Sequence, residues 1–245
     1  MRKNQINKIF RRFGFEVHGI GYMQSIKKSD FILDAYKVQH EIIGKNANVI
    51  FDIGANRGDT VLKYAELFPN ATNYAFEPFP KSFLKLQENT KDNFRIKNFQ
   101  LGISENSGET VFYSNFNEDT NSLLRSSEIG LSSDVQVKNL TSIIINTTTI
   151  DKFCNENNIE SIDILKMDIQ GGELLALKGA VNLLKQKKVK LIYIETYFRK
   201  QYLNQPLFHD VSLFLFEYGY HLQDIYAPIY GKGSLAWCDV IFMPS

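Results

Sequence analysis

VIFDIGANRGDT, residues 49–60, decides the fold. The apolar run VIFDI ends in a turn with glycines at 54 and 58, and Asp59 and Thr60 follow. Glycine permits positive φ and lets the backbone approach a ligand closely. Asp and Thr suit a helix start, where exposed N–H groups need acceptors. A second apolar run, NYAFE at 73–77, ends in Glu77, 25 residues after Asp52. A strand, a glycine turn, a helix and an acid at the tip of the next strand form a unit that offers carboxylate oxygens to both hydroxyls of an adenosine ribose.

The glycine spacing is not GxGxxG, the turn that seats a pyrophosphate on a helix N-terminus. Nor does the loop carry the lysine of the phosphate-binding pattern GxxxxGK[ST], which disfavours ATP and GTP. Asp52 and Asp59 would repel a pyrophosphate, since two like charges 4 Å apart cost about 4 kcal/mol at an effective dielectric of 20. S-adenosylmethionine has no phosphate and carries an ammonium and a sulfonium. An acidic turn therefore favours it over NAD.

Outward from this unit, apolar runs alternate with helical patterns, as in a parallel sheet of βαβ units. Strands are predicted at 48–52, 73–77, about 99–103, 162–167, 189–194, 221–225 and 239–243, and helices at about 59–68, 81–89, 173–184 and 210–218. The last two strands flank a Gly-containing loop (YGKGS, 230–234) and are expected to form a hairpin at the sheet edge. The expected architecture is α/β, a doubly wound, mostly parallel seven-stranded sheet with an antiparallel edge strand. Residues 104–150 break the rhythm. TVFY (110–113) and SIIINTTT (142–149) are β-prone and a Ser/Asn-rich stretch separates them, so the segment reads as inserted strands and a mobile loop near the substrate. Residues 1–45 read as a helical extension before a domain spanning 46–245. Ile6, Ile9, Phe10 and Phe13 fall at helical spacing, which favours a helix packed on the domain over a membrane-surface or nucleic-acid arm.

The 28 basic and 27 acidic residues give a net charge of +1. Proteins that grip long nucleic acids usually carry a basic excess, so a nucleic-acid partner is not expected. Cys154 and Cys238 belong to no CxxC pair and read as reduced thiols. No signal peptide or membrane span is discernible, and the expected location is cytoplasmic.

These residues resemble the FkbM family of S-adenosylmethionine-dependent methyltransferases from about residue 48 to 243. The resemblance is carried by VIFDIGANRGDT (49–60), FEPFP (76–80), GISENSGE (102–109), TTTIDKF (147–153), LKMDIQGGELLALKGA (165–180) and IYIET (192–196). It implies a Rossmann-like class I methyltransferase acting on hydroxyls of sugars or natural products. It also implies that S-adenosylmethionine is held by Asp52, Gly54, Asn56, Gly58, Asp59 and Thr60 of the turn and by Glu77 with Pro78. Gly102, Ile103 and Ser104 would lie close to the adenine. Gln170 departs from the family's usual Glu and, as a neutral amide, cannot act as a base.

Methyl transfer to a hydroxyl needs an aligned acceptor whose proton is removed as the bond forms. In a doubly wound sheet this occurs beyond the C-terminal ends of the strands. Asp168 and Glu195, closing the fourth and fifth parallel strands, and His209, before the following helix, are the candidate catalytic groups. Asp168 is the first choice for general base. A Mg²⁺ ion between the two carboxylates is considered and not favoured. Lys166 is expected to face away from Asp168 and to be structural, while Tyr193, Tyr197 and Phe198 read as an acceptor wall or as core. The predicted acceptor is a sugar, as a nucleotide-linked or surface-polysaccharide precursor, or another small metabolite. A homodimer is compatible with the sequence. The competing readings are a non-catalytic S-adenosylmethionine-binding module and an RNA or protein methyltransferase.

Overall fold

The computed structural model describes residues 34–127, 139–231 and 233–245. The amphipathic pattern at Ile6, Ile9, Phe10 and Phe13, and part of the inserted loop, lie outside the described residues.

The chain runs α1 (Ala35–Ile43), β1 (Val49–Ile53), α2 (Asp59–Leu67), β2 (Thr72–Phe76), α3 (Pro80–Thr90), β3 (Ile96–Phe99), β4 (Gly102–Ile103) and β5 (Gly108–Asn115). It continues through β6 (Asn139–Thr148), α4 (Ile150–Glu156), β7 (Ile162–Met167), α5 (Glu173–Lys178), α6 (Val181–Lys185), β8 (Val189–Tyr197), α7 (Phe208–Glu217), β9 (Tyr220–Gly231) and β10 (Ser234–Pro244). Seven strands form the main sheet in the order β3-β2-β1-β7-β8-β10-β9. From β3 to β8 all pairings are parallel, and β10 is antiparallel to both β8 and β9. The antiparallel strand expected at the edge is thus one place in from it, with β9 outermost. The chain winds outward from β1 to β3, then crosses back to β7 and winds the other way. This reversal opens a crevice at the C-terminal ends of β1 and β7.

Alternation along the central strands sorts the core into two layers. Ile50, Ile164 and Leu191 face a cluster that includes Ala35, Tyr64 and Phe68, whereas Phe51, Leu165 and Ile192 face one that includes Phe153, Leu177, Leu184 and Leu215. Helix α1, which falls in the predicted N-terminal extension, packs in the first of these clusters through Ala35, Val38 and Ile42. Phe153 anchors the second, with its ring centroid 4.8 Å from Phe76 and 4.9 Å from Phe99, both edge-on.

Three elements depart from the sequence pattern. The strand expected at 99–103 is two strands, β3 in the main sheet and β4 in a second sheet of order β4-β6-β5. A Cβ on Gly102 would lie 2.9 Å from the Ile145 side chain, so glycine is what lets β4 close on β6. The helix expected at 173–184 breaks at Gly179, where a Cβ would stand 2.3 Å from the Ser104 carbonyl oxygen. The final hairpin is longer than expected, with strands of 12 and 11 residues. Its pairing carries β8 on to Tyr197, opposite Trp237. Among the described residues no helix is long and apolar enough to cross a membrane.

Candidate active site

A cavity of about 260 Å³ opens at the switch between β1 and β7. Of the residues expected at the cofactor, Gly54, Asn56, Asp59, Thr60, Glu77, Pro78, Gly102 and Ile103 line it. Asp52, Gly58 and Ser104 do not. Gly58 takes φ 99° as the N-cap of α2, and the Ser104 N–H donates to Thr148 O at 3.1 Å.

Glu77 is buried, and each of its carboxylate oxygens accepts one backbone N–H. Oε2 takes Asn56 N at 2.9 Å and Oε1 takes Phe79 N at 2.8 Å. Each oxygen keeps a further lone pair for an incoming hydroxyl, which fits a ribose diol. Burial pushes the carboxyl up to about 7, and the two backbone donors oppose that rise.

Asp52 plays a different part from the one expected. It is fully buried, and Lys166 Nζ lies 2.8 Å from its Oδ1. Its charge is therefore compensated by Lys166. The expectation that Lys166 faces away from Asp168 is overturned, because residues two apart on a strand share a face. Lys166 lines the cavity and bonds Gly54 O at 3.3 Å. Burial alone would lower its pKa, but the charges of Asp52 and Asp168 more than reverse that and hold the ammonium above its ordinary value.

After β7 the chain turns sharply through Gln170 at φ 56° and Gly171 at φ 95°. Glu173 holds this turn, its Oε1 accepting the N–H groups of Ile169 at 3.0 Å and Gly171 at 3.3 Å. Asp168 faces the cavity. Glu195 is not a lining residue but stands behind it, and the Gln170 amide joins the two, donating to Asp168 Oδ1 at 2.9 Å and Glu195 Oε2 at 3.0 Å. Tyr197 also donates to Glu195. Burial, then the neighbouring Asp168 charge, hold the Glu195 carboxyl well above the usual carboxylate range. With amide N–H groups aimed at both carboxylates, the space between them does not suit Mg²⁺, which needs oxygen ligands. Among the described residues no group of three or more His, Cys, Asp or Glu side chains is arranged to hold a metal.

His209 is the second residue of α7, exposed and 3.5 Å from Asp210 Oδ1. The structure does not bring it to the cavity. The aromatic wall predicted at Tyr193, Tyr197 and Phe198 is not a cavity lining either. Tyr193 donates to Asp239 at 2.7 Å, and Phe198 stacks on Phe208. The apolar lining comes instead from Ile53, Phe76, Leu101 and Ile169 and, from the insertion, Phe112 of β5 and Leu123. Glu118, Asp119 and Asn121 line the cavity as well. Asn56 Nδ2 bonds Asp119 Oδ1 at 2.8 Å, and Lys81 pairs with Glu118. The stretch NFNEDTN that supplies these groups has no periodicity or motif to mark it. Cys154 and Cys238 are both free and buried.

A doubly wound sheet with a cavity at its switch point, an acid set for a ribose diol and a second carboxylate in the same cavity define a nucleoside-cofactor enzyme of the Rossmann-like class. Residues 52–222 match the family model described as the methyltransferase FkbM domain, and the chain belongs to that family of S-adenosylmethionine-dependent methyltransferases. It is 28% identical over 180 residues to the 2-O-methyltransferase NoeI of Sinorhizobium fredii, covering 71% of this chain and 73% of that protein. It is 27% identical over 150 residues to the hexuronic acid methyltransferase AglP of Haloferax volcanii, covering 60% of this chain and 55% of that protein. A solved precorrin-6y C5,15-methyltransferase from Geobacter metallireducens aligns over 90% of each chain at 12% identity with a TM-score of 0.48.

Proposed function

We propose that the protein transfers a methyl group to a hydroxyl of a sugar, with Asp168 as the general base. The observation that carries this reading is that one cavity is lined both by Glu77, with lone pairs free for a ribose diol, and by Asp168 at the end of β7. The names of two relatives support the acceptor class, one a 2-O-methyltransferase and the other a hexuronic acid methyltransferase.

S-adenosylmethionine supplies an activated methyl group on a cationic sulfonium. The nucleoside would be held by the glycine turn and Glu77, together with Asn56, Asp59, Thr60, Pro78, Gly102 and Ile103, all of which line the cavity. Asp168 would accept the acceptor's proton as the hydroxyl oxygen takes the methyl group and the methyl–sulfur bond breaks, leaving neutral S-adenosylhomocysteine, because a neutral alcohol is a poor nucleophile. Glu195 backs Asp168 rather than touching the acceptor. Phe112 and Leu123 exclude water from the reacting atoms.

The test is incubation with S-adenosylmethionine and a panel of neutral, amino and uronic acid glycosides, read as methyl ether by mass spectrometry. Asp168→Asn is expected to keep calorimetric affinity for S-adenosylmethionine and to lose transfer. Transfer at the wild-type rate by this variant removes Asp168 as the base, and methylation of none of the glycosides removes the sugar acceptor.

A further inference from the structure

We propose that Gln170 is a positioning residue whose amide takes the place of a cation between Asp168 and Glu195, holding the two carboxyls to one shared partner while Asp168 stays turned to the cavity. This rests on the assignment of Asp168 as the base. Two carboxyls drawn to one point normally need a positive charge or a shared proton between them. Here the two N–H bonds of one neutral amide serve both, at 2.9 and 3.0 Å.

The amide is oriented and the residue is fixed from several sides. The two carboxyl acceptors call for the amide nitrogen between them, which turns Gln170 Oε1 toward Tyr202 Oη at 3.0 Å; that hydroxyl also lies 2.9 Å from Thr120 O and shares its one proton between the two oxygens. Ser122 Oγ donates to the Gln170 carbonyl at 2.8 Å. Glu173 holds the N–H groups on either side of the residue, and the backbone accepts a left-handed φ of 56° that only glycine adopts freely. Ser122 and Glu173 thus fix the backbone at residue 170, and Tyr202 reaches its side-chain amide.

The charged and titratable groups facing the pair from the packed elements are Lys166 of β7, Asp52 of β1, Tyr197 of β8, Asp239 of β10, Glu173 of α5 and Tyr202. Lys166 is the only cation among them, and it is bound to Asp52. A third carboxylate at position 170 would therefore add charge with no further cation among these described residues to offset it. It would also turn an amide-bridged pair into a three-carboxylate oxygen site of the kind divalent cations take.

The experiment compares full-length wild-type protein with Gln170→Glu and Gln170→Met, each first checked for a native melting transition. Mn²⁺ alone is titrated calorimetrically, and kcat, KM and the pH profile of methyl transfer are then measured. Gln170→Glu is expected to bind Mn²⁺ at least about tenfold more tightly than wild type. The acidic limb of its kcat profile should move up by about one pH unit, with KM for S-adenosylmethionine unchanged. Gln170→Met, which has the length but no donors, should lose about tenfold or more in kcat at unchanged KM and gain no Mn²⁺ affinity. Wild-type binding of Mn²⁺ as tight as that of Gln170→Glu overturns the proposal, and so does a wild-type kcat and pH profile in either variant. If the wild type methylates no sugar, the acceptor reading has failed, and the Mn²⁺ comparison alone still decides the role of Gln170.

Discussion

Lys166 Nζ and Asp52 Oδ1 lie 2.8 Å apart beneath the glycine turn, with both side chains almost wholly withdrawn from solvent. The register explains the meeting, since β1 and β7 are parallel neighbours in which Asp52 stands opposite Lys166. Because Lys166 also bonds the Gly54 carbonyl, the pair ties the second central strand to the turn that receives the cofactor. Removing one partner of a buried ion pair leaves an uncompensated charge and costs about 3–5 kcal/mol. Lys166→Met is therefore expected to lower unfolding stability in urea by about that amount. The double variant Asp52→Leu/Lys166→Met, in which both charges leave, should recover at least half of the loss. A single-variant loss below about 1 kcal/mol would mean that water reaches the pair.

Cofactor affinity should depend on pH through Glu77. Burial raises this carboxyl from an ordinary 4.5 to about 7, so near neutral pH the protein without cofactor holds it partly protonated. Ribose hydroxyls donate best to the ionised form, so binding draws the carboxyl's pKa down and expels a proton. Affinity for S-adenosylmethionine is thus expected to rise between about pH 6 and 8 and then level off. Calorimetry in buffers of different ionisation enthalpy should record proton release, and Glu77→Gln should bind weakly with no pH dependence. An affinity that is flat across this range in the wild type would show that Glu77 is already ionised before the cofactor arrives.

The strand, glycine turn, helix and acid of residues 49–77 were readable because each depends on neighbours in sequence. The site's wiring was not, because it depends on register between strands. Asp52 and Asp59 look alike in the primary sequence, yet one is sealed beneath the turn by Lys166 and the other lines the cavity. Gln170 reads as the loss of an acid until the turn brings its amide between Asp168 and Glu195. His209, expected just before a helix, is the second residue of α7, and sequence does not say which way such a side chain points; it points to solvent. The insertion is legible as β-prone strands and a loop near the substrate, but which of its side chains reach the cavity is not, since only tertiary contacts bring Phe112 and Leu123 there.

Asp119 fastens that insertion to the glycine turn. Its Oδ1 accepts from Asn56 Nδ2 at 2.8 Å and lies 3.9 Å from Arg57 Nη2, across 63 and 62 residues of chain respectively. The contact is exposed, so its contribution to global stability should be under about 1 kcal/mol. Its effect on binding should be larger, because it bears on residues that line the cavity. Asp119→Ala is expected to leave the melting temperature within about 2 °C. It should weaken S-adenosylmethionine binding several-fold, mainly through a faster dissociation rate measured by stopped flow. Dissociation at the wild-type rate would show that the insertion does not retain the cofactor.

Gly54 is the position where backbone geometry and cofactor binding cannot be separated. Its φ of 79° is one that a side chain disfavours, and an added Cβ would fall 2.0 Å from the Asp168 carbonyl oxygen. That oxygen cannot yield easily, because the Asp168 N–H is bonded to Ile53 O at 3.0 Å and the turn after it is held by Glu173. Gly54→Ala must therefore displace the glycine turn rather than Asp168. The conformational strain alone costs about 1–2 kcal/mol, and relief of the clash adds to it. Moving the turn carries Asn56 away from Glu77, whose Oε2 it holds at 2.9 Å, so the ribose acceptor shifts with it. The expected result is a folded protein of lowered melting temperature with S-adenosylmethionine affinity reduced at least about a hundredfold, which corresponds to about 2.7 kcal/mol of binding free energy. Gly44→Ala is the matched control, with a φ of 73° but nothing within 4 Å of its added Cβ. It should show the conformational strain without the loss of binding. Equal calorimetric affinities for the two variants would mean that the close approach of Gly54 to Asp168 does not shape the cofactor site.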